Sequence, residues 1–162
     1  MSGLVDQIQE WSTYGAKVML SLFGLLLGAI FFGQNNMLYF PAPPNIPKTP
    51  NDNPRKYRSP EEWQPFSKEK SRFEERFVNT CDGKSIHVWK MYQLDSNSAP
   101  TLIYFHGNAG NMGLRLPNAV DMYNKCGINV VMMDYRGYGM STGSPTEEGL
   151  NLDAAAVLEH VC

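Results

Sequence analysis

Two short stretches hold the residue types from which a reaction centre could be made. The first is His106-Gly107-Asn108-Ala109-Gly110-Asn111, a turn rich in glycine and asparagine that follows the apolar run Thr101 to Phe105. Glycines at 107 and 110 permit positive φ and let backbone N–H groups approach a ligand closely, which a turn of bulky residues could not do. The second is Asp134 to Gly143, in which Gly139-Met140-Ser141-Thr142-Gly143 matches the G-x-S-x-G pattern of a serine nucleophile. Asp153 and His160 follow it, so serine, acid and histidine stand in an order that an acyl-transfer triad could use.

Spacing argues against that triad. An elbow serine sits directly at a strand end, whereas Ser141 lies eight residues past Met133 in a glycine-rich loop. Asp153 and His160 are seven residues apart on one expected helix, about 10 Å along its axis and out of hydrogen-bond reach of each other. Gly137, Gly139 and Gly143 approach a dinucleotide fingerprint, but the last gap holds three residues where the fingerprint holds two, and no ribose-binding acid follows at the required distance. Asp134 and Arg136 read as loop-closing residues at a strand's carboxyl end, and His106 as a hydrogen-bonded loop anchor rather than a general base.

The elements that must position these residues form an α/β pattern. Phe73 to Val78 and Ser85 to Tyr92 read as strands joined by the Asp82-Gly83 turn. Thr101 to Phe105 is a third strand, and Ile128 to Met133 a fourth. Between them Met112 to Cys126 has helical spacing, with Pro117 best placed in a first turn and Gly127 as its stop. Strand, helix and strand make a βαβ unit whose strands are expected to be parallel. Ser144-Pro145-Thr146-Glu147 reads as a capping box that opens a last helix, with Leu150, Ala154, Val157, Leu158 and Val161 facing the core.

Ahead of this domain, Val18 to Phe32 carries no charge and only Ser21 as a polar side chain. Residues 14–33 supply the roughly 20 residues that a bilayer-spanning helix needs, with Lys17 snorkelling to the headgroups. Trp11 and Tyr14 on one side, and Met37 to Phe40 on the other, suit the two interfaces. Before Lys17 the side chains carry only acidic charge, and no small-x-small site follows the apolar run, so an uncleaved anchor is expected over a signal peptide. Gly24 and Gly28 have the spacing that permits close helix pairing. Lys48, Arg55, Lys56 and Arg58 favour a cytoplasmic C-terminal side, but they lie where the charge bias fades, and both orientations stay open in an endomembrane or plasma membrane. The expected division is a tail over 1–13, the anchor over 14–33, a linker over 34–71 and the folded domain over 72–162. Pro41 to Pro65 holds eight of the eleven prolines, which predicts a semi-extended spacer, or else a coat on the domain.

Composition narrows the function classes. The chain has 162 residues, a net charge of -2 and no basic cluster, which excludes an electrostatic nucleic-acid footprint. Three irregularly spaced cysteines indicate neither a disulfide framework nor a metal site. No cofactor-binding motif stands out.

At H-G-N-A-G-N (106–111), L-P-N-A (116–119), D-Y-R-G-Y-G-x-S-x-G (134–143) and E-E-G-L (147–150), the sequence resembles the N-terminal part of membrane-anchored α/β-hydrolases. L-Y-F-P at 38–41, just past the anchor, is similar to the same branch. The resemblance implies the N-terminal half of an α/β-hydrolase fold, a mostly parallel eight-stranded sheet flanked by helices, and a serine hydrolase of acyl ester or thioester bonds without a cofactor; the anchor, by location alone, adds the expectation of a lipid or acylated substrate. It also implies that the loop after the third strand supplies an oxyanion-hole N–H, assigned to Asn108 with Ala109 as second choice, while Gly107 and Gly110 shape the loop. By the same order the nucleophile, acid and base would follow Cys162, leaving the present chain inactive by itself. The competing expectation is a non-catalytic membrane protein with a partial hydrolase fold, serving as a pseudoenzyme or interaction module.

Overall fold

The computed structural model describes residues 2–63, 66 and 71–162; Gln64 and Pro65, at the end of the proline-rich stretch, lie outside the described residues. The chain divides into two units, one ending at Leu38 and the other running from Tyr39 to Cys162.

The first unit is a single helix, α1 (Ser2–Leu38). It continues unbroken through the expected tail and past the expected end of the anchor at Gly33. At 1.5 Å per residue its 37 residues reach about 55 Å, well beyond the roughly 30 Å of a hydrocarbon core. Its apolar side chains are bare, with Leu20 at 72% and Phe32 at 86% exposure. It is long and apolar enough to cross a membrane.

The second unit is a four-stranded sheet with a helix against each face. Its elements are β1 (Ser71–Asn79), β2 (Ser85–Gln93), β3 (Thr101–Phe105), α2 (Leu116–Cys126), β4 (Asn129–Met133) and α3 (Glu147–Val161). The strand order is β1-β2-β4-β3. The β3–α2–β4 crossover is parallel, as its pattern of two short apolar runs around a helix requires, while β1–β2 and β2–β4 are antiparallel. Among the described residues the sheet is therefore mixed, not mostly parallel.

Period-two alternation sorts the strand residues between two cores. Trp89, Met91, Val130 and Met132 pack with Leu116, Ala119, Val120 and Tyr123 of α2. Ile86, Val88, Val131 and Met133 pack with Val157 of α3. Helix α2 begins at Leu116, with Pro117 in its first turn, and ends at Gly127, whose φ of 63° is the left-handed conformation that stops a helix. A 3₁₀ turn over Met112–Arg115 fills the start of the expected helix.

Two expectations are corrected. The cap of α3 is Thr146, not Ser144: its hydroxyl accepts from the Gly149 N–H, and Ser144 and Pro145 stay outside the helix. Gly149, Asp153 and Val157 are the buried residues of α3, and Leu158 is half exposed. Nor is the proline-rich stretch a spacer. It belongs to the second unit, folds into three 3₁₀ turns (Pro50–Asp52, Arg55–Tyr57, Pro60–Glu62), and buries Pro50, Asn53 and Pro60. Proline fixes φ near the value such turns use, so density of proline is compatible with tight packing as well as with extension.

Candidate active-site loops

The register of the parallel pair decides what meets at the carboxyl end of the sheet. Phe105 lies opposite Met133, so the next residues, His106 and Asp134, emerge side by side. His106 Nε2 is 3.2 Å from Asp134 Oδ1, and both side chains are buried. The same carboxylate oxygen accepts the Met112 N–H at 2.7 Å. On the other side His87, from β2, brings Nδ1 to 3.6 Å of Asp134 Oδ2 while its Nε2 meets Glu75 Oε1 at 2.6 Å. Burial pushes the Asp134 carboxyl up, but the contacts of His106 and His87 and the Met112 N–H outweigh it and hold the group below the usual carboxylate range.

His106 has a second partner within its own loop. His106 Nδ1 lies 2.7 Å from the Gly107 carbonyl, to which an N–H at that nitrogen donates. The Ala109 N–H donates to that carbonyl as well, at 2.9 Å. A trans peptide points its C=O and N–H in opposite directions, so a Gly107 carbonyl turned toward His106 directs the Asn108 N–H to the other side. The Asn108 side chain is fixed too: its Oδ1 accepts from Tyr138 OH at 2.5 Å and from the Phe40 N–H at 3.0 Å.

Only one of the two loop glycines has positive φ. Gly110 does, at 69°, with Leu114 and Ile46 already against the place a Cβ would take. Gly107 does not share that conformation, and a Cβ there would meet nothing within 4 Å. Its use is therefore to leave the outer side of the loop open.

The second loop is turned inward. Ser141 Oγ donates to the Asp134 carbonyl at 2.6 Å and accepts the His87 N–H at 2.8 Å, and the residue is buried. Its hydroxyl is thus engaged in both directions, which leaves it no base and no path to a substrate. Asp153 accepts from Arg136 N and Nε at 2.8 and 2.9 Å, so it serves as that residue's counter-ion. His160 is exposed near the end of α3. The structure does not bring Ser141, Asp153 and His160 together as a triad.

Arg136 ties the second loop to two carboxylates. Besides Asp153 it reaches Asp82 of the β1–β2 turn with a two-pronged contact at 2.8 and 3.1 Å. Gly149 makes room for it, since a Cβ there would stand 2.5 Å from Arg136 Cδ. The guanidinium, aided by the Thr80 hydroxyl, lowers the Asp82 carboxyl to about 2.

Several residues of this arrangement carried no sequence signal. His87 and Glu75 lie inside strands, and Asn53 and Phe40 belong to a stretch whose composition reads as linker. Tyr138 could have been flagged only by its place between Gly137 and Gly139 in the second loop. Among the described residues no cluster of three or more His, Cys, Asp or Glu side chains could hold a metal ion. A groove of about 370 Å³ lies against β1 and α3, lined by Phe77, Cys81, Leu152 and His160 among others, and neither loop contributes to it.

No protein-family profile matches the chain. It is 38% identical over 149 residues to protein bem46 of Schizosaccharomyces pombe, an alignment covering 91% of this chain and 46% of that protein. It is 37% identical over 89 residues to α/β hydrolase domain-containing protein WAV2 of Arabidopsis thaliana, covering 55% of this chain and 29% of that one. The chain belongs to the α/β-hydrolase superfamily. An uncharacterized membrane protein of Saccharomyces cerevisiae is 36% identical over 89 residues, 55% of this chain and 31% of its own. Among solved structures, an acetyl xylan esterase from Paenibacillus sp. R4 aligns with a TM-score of 0.49 at 22% identity, over 61% of this chain and 39% of its own. The chain spans less than half the length of the curated relatives it matches.

Proposed function

We propose that the chain supplies the oxyanion-hole side of a membrane-anchored serine hydrolase that cleaves acyl ester or thioester bonds in lipids or acylated molecules. The observation that carries this reading is the orientation of the Gly107 peptide. When a serine attacks an acyl carbonyl, negative charge grows on the carbonyl oxygen, and N–H groups aimed there in advance stabilise it by several kcal/mol. Held by His106 and Ala109, the Gly107 carbonyl faces His106 and directs the Asn108 N–H to the opposite side of the peptide. Ala109, the other candidate donor, spends its N–H on that same carbonyl, so the role goes to Asn108.

Ser141 is unsuited to be the nucleophile, because its hydroxyl is used within the fold. In the superfamily's chain order the elbow serine follows the strand after the second crossover helix, which corresponds to α3 here. We assign the nucleophile, acid and histidine to that later sequence. The single apolar helix serves as the anchor, and the membrane as the place where substrate is met.

The test is hydrolysis of a 4-nitrophenyl acyl ester by a chain carrying the whole hydrolase domain. Asn108→Pro removes the N–H, and kcat is expected to fall about 10²- to 10³-fold, the range typical for loss of one oxyanion donor. Unchanged kcat would remove Asn108 from the site.

A second reading, a non-catalytic module, draws on the inward engagement of Ser141, Asp134 and Asp153. Absence of fluorophosphonate labelling in the whole domain would favour it.

A further inference from the structure

We propose that the segment from Phe40 to Arg58 is a positioning clamp for the oxyanion loop, with Asn53 as its central residue; the functional part of this inference rests on the hydrolase reading above. Asn53 is 1% exposed, and its amide pairs reciprocally with that of Asn111, 58 positions away. Asn53 Nδ2 donates to Asn111 Oδ1 at 2.8 Å, and Asn111 Nδ2 donates back to Asn53 Oδ1 at 3.0 Å.

The remaining capacity of the two amides ties in the backbone on both sides. Asn111 Oδ1 also accepts the Gly113 N–H at 3.0 Å, and Asn111 Nδ2 also donates to the Pro47 carbonyl at 3.1 Å. Asn53 Nδ2 also donates to the Tyr57 carbonyl at 3.0 Å. That carbonyl comes so close to the loop that a Cβ on Gly113 would stand 2.2 Å from it. At the far end of the segment the Phe40 N–H reaches Asn108 Oδ1 at 3.0 Å. The segment thus grips the side chains of the first and last asparagines of the turn.

A coat that only covered apolar surface would not need this. Two buried primary amides with six hydrogen-bonding demands are costly unless nearly all are met, and here they are met only in one register of segment against loop. A glycine-containing turn is otherwise free to rotate its peptides, and an oxyanion donor displaced by about 1 Å loses most of its effect. His106 holds the Gly107 peptide from below, and the clamp holds Asn108 and Asn111 from the other side. Phe40, Asn53 and Asn111 are accordingly positioning residues, since none needs to touch a substrate.

Amide hydrogen exchange on the whole 162-residue chain in detergent micelles tests the structural half. In Asn53→Ala, exchange across residues 107–113 is expected to rise at least tenfold, while β4 amides keep their wild-type rates. Arg55→Ala, which removes an exposed ion pair of the same segment, should change neither. Loop exchange that stays at the wild-type rate, or rises only as much as that of β4, would overturn the clamp. If Asn53→Ala does not fold, Phe40→Pro removes the other tie and is read in the same way.

The functional half is read on a chain with the whole hydrolase domain, where Asn53→Ala should lower kcat at least tenfold with KM within twofold of wild type. A rise in KM with kcat retained would overturn the positioning role. A wild-type domain that hydrolyses no ester overturns the hydrolase reading instead, and the exchange result then decides the clamp by itself.

Discussion

A hydroxyl that both donates and accepts inside a protein is a structural group, and Ser141 is one. Its Oγ joins the Asp134 carbonyl to the His87 N–H, and so pins the second loop to β2 where β4 ends. Ser141→Ala leaves both partners buried without it, which costs about 1–3 kcal/mol. Denaturant midpoints of the two proteins should show that loss. A fluorophosphonate probe should label neither, and labelling that vanishes in the variant would restore Ser141 as a nucleophile. Acid sensitivity belongs to this scale as well. Arg136 and then Thr80 hold Asp82 at about 2 against an ordinary 3.8, so the folded state binds this proton less readily than the unfolded chain. That contribution is present above about pH 4 and disappears as pH falls from about 4 through 2. Asp134, whose carboxyl is also lowered, acts with the same sign. Asp82→Asn should flatten the acid limb of stability measured by urea unfolding between pH 2 and 5, and an unaltered limb would remove Asp82 as its source.

At the scale of the element, the loop after β4 shows why glycine spacing alone misleads. Gly139 has φ of 50°, and a Cβ there would lie 1.8 Å from Asp134 Oδ2, so this glycine exists to let a buried carboxylate approach the backbone. Gly83, in the β1–β2 turn, has φ of 76° with nothing within 4 Å. Both alanine variants bear the left-handed penalty of about 1–2 kcal/mol, but only Gly139→Ala adds a steric clash worth about 1–3 kcal/mol more. Thermal melts of the pair should separate them in that order, and equal losses would refute the close approach. The strands and the crossover were legible because β-branched and apolar runs of five or six residues bounded by turn residues have few other solutions. The start of α3 was less so: Ser144 and Thr146 are both capping residues, and what selects Thr146 is the packing of Gly149 on Arg136, a contact between residues 13 positions apart. The clamp was legible only as an alternative. Proline and asparagine make a spacer and a packed coat from one composition, and the Asn53–Asn111 pair that decides between them is a tertiary contact. Spacing singles out His106 and Asp134 one by one, but their pairing follows from the β3–β4 register, which spacing does not reveal.

At the scale of the molecule the decisive feature is the position of β3. It carries the candidate oxyanion loop and lies at one end of the strand order β1-β2-β4-β3, so among the described residues one of its edges has no strand beside it. Leu102, Ile103 and Tyr104 are only partly buried, and Phe105 is 48% exposed. A short apolar edge without charge or proline invites pairing with another chain. In detergent, residues 1–162 are therefore expected to self-associate, and sedimentation should show mass rising with protein concentration. Two surfaces could drive that association, and they are separable. Gly24 and Gly28 of α1 have nothing within 4 Å of their Cβ positions and could support helix pairing, which Gly28→Ile would block. Phe105→Lys places a charge beside the loop on the bare strand while leaving α1 untouched. If the edge is responsible, Phe105→Lys shifts the chain toward monomer and Gly28→Ile does not. The reverse result would assign assembly to the helix, and a wild-type chain that sediments as a monomer at every concentration would show that the edge is already protected. A strand after α3 that carries the elbow serine would lie along β3 in the superfamily's order. The same surface that makes the isolated chain associate would then bring the nucleophile beside the Asn108 N–H, so a chain extended through that strand should be monomeric under conditions where residues 1–162 are not.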